Sequence, residues 1–232
     1  MYTNSGEKCI VLLSGGLDST VAFKRSLDTM DVVLCLTFDY GQRAAAKEAS
    51  AAAEMAARYD TAHRFIELPW LRDITATALV SRAEELPRLK EEELDGAGGK
   101  SADSARKVWV PNRNGVFINI AASFCDALGA GIIVTGFNRE EAATFPDNSP
   151  EFIESINSSL AYSTMIKARV VSPTASLDKE EIVRLGIEID APLELLWSCY
   201  EGGPEMCGTC ESCMRLKRAL QENASGLMER LF

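Results

Sequence analysis

The chain has 232 residues, with 24 Lys+Arg against 34 Asp+Glu, a formal net charge of −10, and 47% hydrophobic and 25% charged residues. Such a chain buries its own core, which excludes disorder as the main state. The acidic balance argues against a stable nucleic-acid partner, because phosphate binding rests on a cationic surface. No run approaches the ~18 apolar residues that cross a bilayer, so no membrane is expected.

Cys9–Leu13 reads as a buried strand stopped by Ser-Gly-Gly. The run is too short for an export signal, and the cytoplasm is the expected compartment. A helix is expected from about Asp18 or Ser19 to Met30, and a second strand over Val32–Phe38. Ala44–Arg58, rich in Ala, Glu and Lys, is a strong helix former. Ala62–Leu68 is a weaker third strand, Asn114–Leu128 an amphipathic helix and Gly131–Thr135 a fourth strand. Pro150–Met165 reads as helix, Ala168–Val171 as a fifth strand, and Leu177–Leu185 as a helix capped by Asp178. Alternation of this kind indicates βαβ units and a parallel sheet, with ligands beyond the carboxyl ends of the strands.

Glu84–Lys107 breaks the pattern with a charge run, Lys90–Glu93, and a Gly-rich piece, Gly96–Lys100. The expectation is a solvated, mobile loop, with a lid that orders on substrate as the alternative. Gly98-Gly99-Lys100-Ser101 imitates the end of a Walker loop, but Leu94 stands where that motif requires its first glycine. From Trp197 the cysteine density rises. The expected division is an α/β domain over 1–195 and a small C-terminal element over 196–232, ending in a helix near Glu211–Asn223.

The first strand runs into Ser14-Gly15-Gly16-Leu17-Asp18-Ser19-Thr20 and then a helix. Two glycines allow a tight turn and close approach of a ligand. The hydroxyls of Ser14, Ser19 and Thr20, with the free N–H groups and dipole of the helix start, make an anion cradle.

Cys199, Cys207, Cys210 and Cys213 are spaced C-x7-C-x2-C-x2-C. Four thiolates satisfy tetrahedral zinc and leave no open position, so a structural ion is expected. Four unrelated thiols, redox or sulfur-transfer cysteines and an iron–sulfur cluster are the other readings. Cys9, Cys35 and Cys125 lie in apolar segments and are expected in the core. His63, the single histidine, is expected to be a partly exposed strand residue rather than a base or ligand.

The Ser14–Thr20 string resembles the signature of the PP-loop ATP pyrophosphatases, which cleave ATP between the α- and β-phosphates and transfer AMP to an oxygen. Together with Trp197-Ser198-Cys199-Tyr200 and Cys207-Gly208-Thr209-Cys210-Glu211-Ser212-Cys213, it is similar to the 7-cyano-7-deazaguanine synthases. The resemblance spans nearly the whole chain. It includes Asp39-Tyr40-Gly41-Gln42, Val110-Pro111-Asn112-Arg113-Asn114, Gly136, Phe145-Pro146-Asp147 and Asp178-Lys179.

The resemblance implies a doubly wound α/β fold of the adenine-nucleotide hydrolase type, one structural zinc, ATP with magnesium, and a homodimer. It implies 7-carboxy-7-deazaguanine and ammonia as substrates, with adenylated acid and adenylated amide on the way to a nitrile. By the same resemblance Leu13, Ser14, Gly15, Gly16, Leu17, Asp18, Ser19, Thr20, Val21, Ala22 and Phe23 form the ATP loop. Asp18 either helps to hold magnesium or caps the helix. Lys179 meets the phosphates or is a surface lysine. Arg113 neutralises phosphate or substrate carboxylate, or makes a structural ion pair. Asp147 reads the guanine-like ring or is a turn residue.

Two departures stand out: Asn112 where many members carry glycine, and Asn148-Ser149 where many carry Cys-Arg. Tyr2 at the second position and the lone His63 leave no evident glutaminase machinery, so free ammonia or a separate glutaminase is expected to supply nitrogen. Two other functions stay open. One is a different PP-loop adenylating enzyme, either a ligase for another carboxylate or a tRNA thiolase. The other is a non-catalytic ATP- and zinc-binding module.

Overall fold

The computed structural model describes residues 6–89, 93–94 and 100–232. The chain order is β1 (Lys8–Leu12), α1 (Leu17–Thr29), β2 (Asp31–Asp39), α2 (Ala45–Arg58), β3 (His63–Glu67), α3 (Pro69–Ile74), α4 (Lys100–Val108) and α5 (Arg113–Leu128). It continues with β4 (Ile132–Val134), α6 (Arg139–Ala142), α7 (Pro150–Ser163), β5 (Arg169–Val171), α8 (Lys179–Glu188), α9 (Glu211–Asn223) and α10 (Ser225–Leu231). Among the described residues no helix is long and apolar enough to cross a membrane.

The five strands are all parallel in the order β3-β2-β1-β4-β5. Successive strand side chains point to opposite faces, and the continuous apolar runs of β1, β2 and β4 therefore feed two cores. Cys9, Val11, Cys35, Ile132 and Val134 pack on one side with α1, α2, α8 and α9. Ile10, Leu34, Leu36, Phe38 and Ile133 pack on the other with α5 and α7. This is a doubly wound sheet whose order reverses between β1 and β4, the place where such folds hold ligands.

Local chemistry explains the helix boundaries. Asp178 and Glu181 form a reciprocal capping box at α8, each side chain bonded to the other's backbone N–H at 2.9 Å. Ser149 caps α7 by accepting from Phe152 N–H at 3.1 Å. Asn112, before α5, has φ +50°. Glycine is the residue that most readily takes that left-handed conformation and asparagine is among the few others that do, so the Asn112 departure leaves the turn intact. The short helices α3, α6 and α10 were not expected, because four to seven residues carry too little periodicity to read.

The reading of Glu84–Lys107 as a solvated loop is corrected over its described part. Leu86 and Leu94 are buried, and Lys100–Val108 is helical. Ser104 Oγ donates to Glu211 Oε2 in α9, and Glu211 N–H donates to the Pro87 carbonyl at 3.1 Å. Leu86 and Val108 join the core on the α5 side of the sheet, while Ser104 and the Pro87 carbonyl are tied to Glu211 of the cysteine-bearing helix, contacts that a composition-based reading averages away. Residues 90–92 and 95–99, which hold most of the charge run and Gly-rich piece, lie outside the described residues.

Candidate active site

The chain turns from β1 into α1 through Ser14–Gly16 at the reversal of strand order. Gly15 has φ +80°, and a Cβ there would stand 2.9 Å from Ala51 Cβ, so both conformation and space call for glycine. Ser19 Oγ and Thr20 Oγ1 donate to the Gly16 carbonyl at 3.1 and 2.8 Å, and the Trp197 N–H donates to the Gly15 carbonyl at 2.9 Å. On the far side Gly136, just after β4, comes so close that a Cβ would lie 2.6 Å from Ser19 N. The α1 start has no side-chain cap. Its first N–H groups have no acceptor within the helix, and its dipole favours an anion.

A cavity of about 300 Å³ opens at this helix start. Ser14, Gly16, Leu17, Asp18 and Ser19 line it, as does Leu13. Thr20, Val21, Ala22 and Phe23, expected with the loop, are fully buried: Val21, Ala22 and Phe23 join the core, and Thr20 Oγ1 lies 3.3 Å from Met55 Sδ. Thr135, just after β4, lines the cavity, and its buried Oγ1 has no hydrogen-bond partner among the described residues.

Asp18 is not the cap of α1. Its Oδ2 lies 2.5 Å from Lys179 Nζ, and Glu141 Oε1 lies 2.7 Å from the same nitrogen. Lys179 is no surface lysine: its side chain is 12% exposed. Burial raises the Asp18 carboxyl to about 6, and Glu141 adds to the rise while Lys179 opposes it. Burial disfavours the Lys179 ammonium, but Asp18 and Glu141 more than offset that and hold it charged. Among the described residues Asp18 Oδ1 is buried without a partner. Two carboxylates converging on one cation, with a further oxygen unpaired, fit a hard divalent ion such as magnesium.

Arg113 Nη1 donates to Tyr40 Oη at 3.1 Å and makes no ion pair among the described residues. It lines the cavity. Glu48 also lines the cavity, with Oε2 accepting from Gln42 Nε2 at 2.9 Å, and burial pushes its carboxyl up. Asp147 lies in the turn Pro146–Asn148, where its Oδ1 accepts from Asn148 Nδ2 at 3.3 Å. Asn148, not Asp147, faces the cavity. Sequence reasoning assigned no role to Glu48, Glu141 or Thr135. The signal available for Glu141 was the acidic pair Glu140-Glu141 a few residues after the fourth strand and Gly136.

The four cysteine Sγ atoms all lie within 4.8 Å of one another, and Cys207 Sγ is 4.0 Å from Cys213 Sγ. Tetrahedral zinc–thiolate geometry sets sulfurs about 3.8 Å apart. Backbone N–H groups of Glu201 and Cys207 point at Cys199 Sγ at 3.4 and 3.3 Å, and those of Thr209 and Cys210 at Cys207 Sγ at 3.4 and 3.3 Å. Donors aimed at sulfur stabilise thiolates, so the donor set fits structural zinc. Cys9, Cys35 and Cys125 are fully buried core residues. His63 Nε2 lies 2.8 Å from Thr37 Oγ1 on the partly exposed edge strand β3.

A doubly wound sheet with an anion cradle and buried charges at its switch point defines a nucleotide-binding α/β protein. The family model of queuosine biosynthesis protein QueC matches residues 8–224, and the chain belongs to that family. A 7-cyano-7-deazaguanine synthase of Pelotomaculum thermopropionicum is 59% identical over 212 residues, 91% of this chain and 96% of the relative. A synthase of the same name from Desulforudis audaxviator is 54% identical over 95% of this chain and 99% of its own length. One from Methanosarcina mazei is 45% identical over 97% of this chain and 99% of its own length.

Proposed function

We propose that this chain converts 7-carboxy-7-deazaguanine and ammonia to 7-cyano-7-deazaguanine, cleaving two ATP to AMP and pyrophosphate. The observation that carries the reading is the meeting of the Ser14–Ser19 loop, the Asp18–Lys179–Glu141 cluster and Arg113, which makes no ion pair among the described residues, around one cavity, in a chain of this family.

The phosphates lie at the start of α1, where N–H groups and the dipole hold them. Asp18 and Glu141 hold magnesium, which supplies charge neutralisation to the phosphates when bound. Lys179 then meets the phosphates, and Arg113 holds the substrate carboxylate against the α-phosphorus. These groups position and neutralise, which is most of what phosphoryl-type transfer asks of a protein. The carboxylate oxygen attacks the α-phosphorus and pyrophosphate leaves. Ammonia attacks the acyl carbon, a proton is lost, and AMP departs with the carboxyl oxygen, leaving the amide. The amide oxygen attacks a second ATP in the same way. Loss of AMP and two protons from nitrogen leaves the nitrile.

In the same reading residues 1–195 carry the nucleotide and 196–232 the zinc, and the enzyme works in the cytoplasm as a homodimer fed with free ammonia. None of the seven cysteines lines the cavity, which argues against a sulfur-transfer reaction there. The test uses substrate with ¹⁸O in its carboxylate. Label in both AMP molecules is expected; unlabelled AMP, or release of ADP and phosphate, contradicts the reading.

A further inference from the structure

The anion loop and the cysteine cluster are fastened together along two routes. Trp197, two residues before Cys199, donates its backbone N–H to the Gly15 carbonyl at 2.9 Å and its indole N–H to the Cys199 carbonyl at 3.0 Å. The N–H and C=O of a trans peptide point opposite ways, so pinning that carbonyl fixes the direction of the Gly16 N–H. Gly15 has a positive φ and an intrinsically loose backbone, so this outside tether sets its geometry.

The second route runs through α2, which packs against Gly15 at Ala51. Lys47 Nζ donates to the Pro204 carbonyl at 3.0 Å, inside the Cys199–Cys207 loop, and stands 4.9 Å from the centre of the Trp197 ring. Arg43 pairs with Glu201 of the same loop at 3.5 Å. Gly202 approaches so closely that a Cβ would lie 2.1 Å from the Arg43 carbonyl oxygen. Both contacts that confine Gly15 therefore lead to the segment that the cysteines close.

We propose that Trp197 is a positioning residue that couples metal occupancy of the cysteine cluster to nucleotide binding at the Ser14–Ser19 loop. The proposal rests on the ATP reading above. Coupling between two binding sites is reciprocal, so ATP that gains from a closed cluster tightens zinc by the same factor.

Zinc affinity of the full-length protein is measured by competition with a chromogenic chelator, with and without saturating ATP and magnesium. ATP is expected to lower the zinc Kd about five-fold or more. Trp197→Phe keeps the aromatic ring and backbone N–H but deletes the indole donor to Cys199. It is expected to abolish most of that gain and to raise the ATP Kd, with far-ultraviolet circular dichroism unchanged. Calorimetric titration of the same sample with ATP separates the two ideas. ATP that binds without changing zinc affinity overturns the coupling, as does a variant that keeps the full gain. Absence of ATP binding overturns the nucleotide reading itself.

Discussion

Lys179 Nζ stands 2.5 Å from Asp18 Oδ2, a contact across 161 positions that draws the start of α8 onto the start of α1. Replacing this lysine removes the cation that Asp18 and Glu141 share. Lys179→Met is expected to cost about 100-fold or more in kcat/KM, the scale of losing one preorganised charge on a transferring group. It is also expected to destabilise the fold by about 1–3 kcal/mol, because buried Asp18 and half-buried Glu141 lose their shared cation while solvent at Glu141 screens part of the loss. Steady-state kinetics and urea unfolding check the two effects separately.

The Asn112 turn gives a sharper stability test. At φ +50°, Asn112→Gly is expected to be tolerated within about 0.5 kcal/mol. Asn112→Val puts a branched side chain in a left-handed conformation and is expected to cost about 1–2 kcal/mol. Equal effects of the two changes on the unfolding midpoint would refute the argument from backbone conformation.

One zinc per chain is expected by elemental analysis. Cys213→Ala removes one of the four converging sulfurs and is expected to reduce that ratio well below one and lower the thermal midpoint, since metal binding is part of the folding free energy of such sites. Full zinc content in that variant would show that the cluster holds the ion by some other set of ligands.

Burial lowers the His63 pKa below its ordinary 6.5. Well above 6.5 the imidazole is neutral in both folded and unfolded chains. As the pH falls below 6.5 the unfolded chain takes up the proton first, so His63 costs stability progressively until the lower folded value is passed. The loss of stability from about pH 7.5 to about pH 5 is therefore expected to be larger in the unchanged protein than in His63→Gln. Parallel urea titrations at the two pH values measure the difference.

Much of this fold is written in short apolar runs. The continuous apolar stretches of β1, β2 and β4 feed a core on each side, so their sequence signals are strong. β3 was harder to read because it is an edge strand with Arg64, Phe65 and Glu67 exposed. The helix Glu211–Asn223 has the bounds expected from its sequence. The segment before α5 was misread because its character comes from contacts with Glu211 and the core rather than from its own composition.

The site divides in the same way. The glycine loop and the four cysteines announce themselves by local spacing. The Asp18–Lys179–Glu141 cluster joins three elements far apart in sequence, and only the sheet order brings them together. Asp147 was drawn from a motif, whereas the turn of Pro146–Asn148 directs its neighbour Asn148 to the cavity.

The most direct test incubates the purified protein with ATP, magnesium, ammonium and 7-carboxy-7-deazaguanine, and follows the products by mass spectrometry. The account predicts the amide and then the nitrile, with two AMP and two pyrophosphate for each nitrile formed. ATP bound and zinc present, with no amide, nitrile or AMP produced, would contradict it.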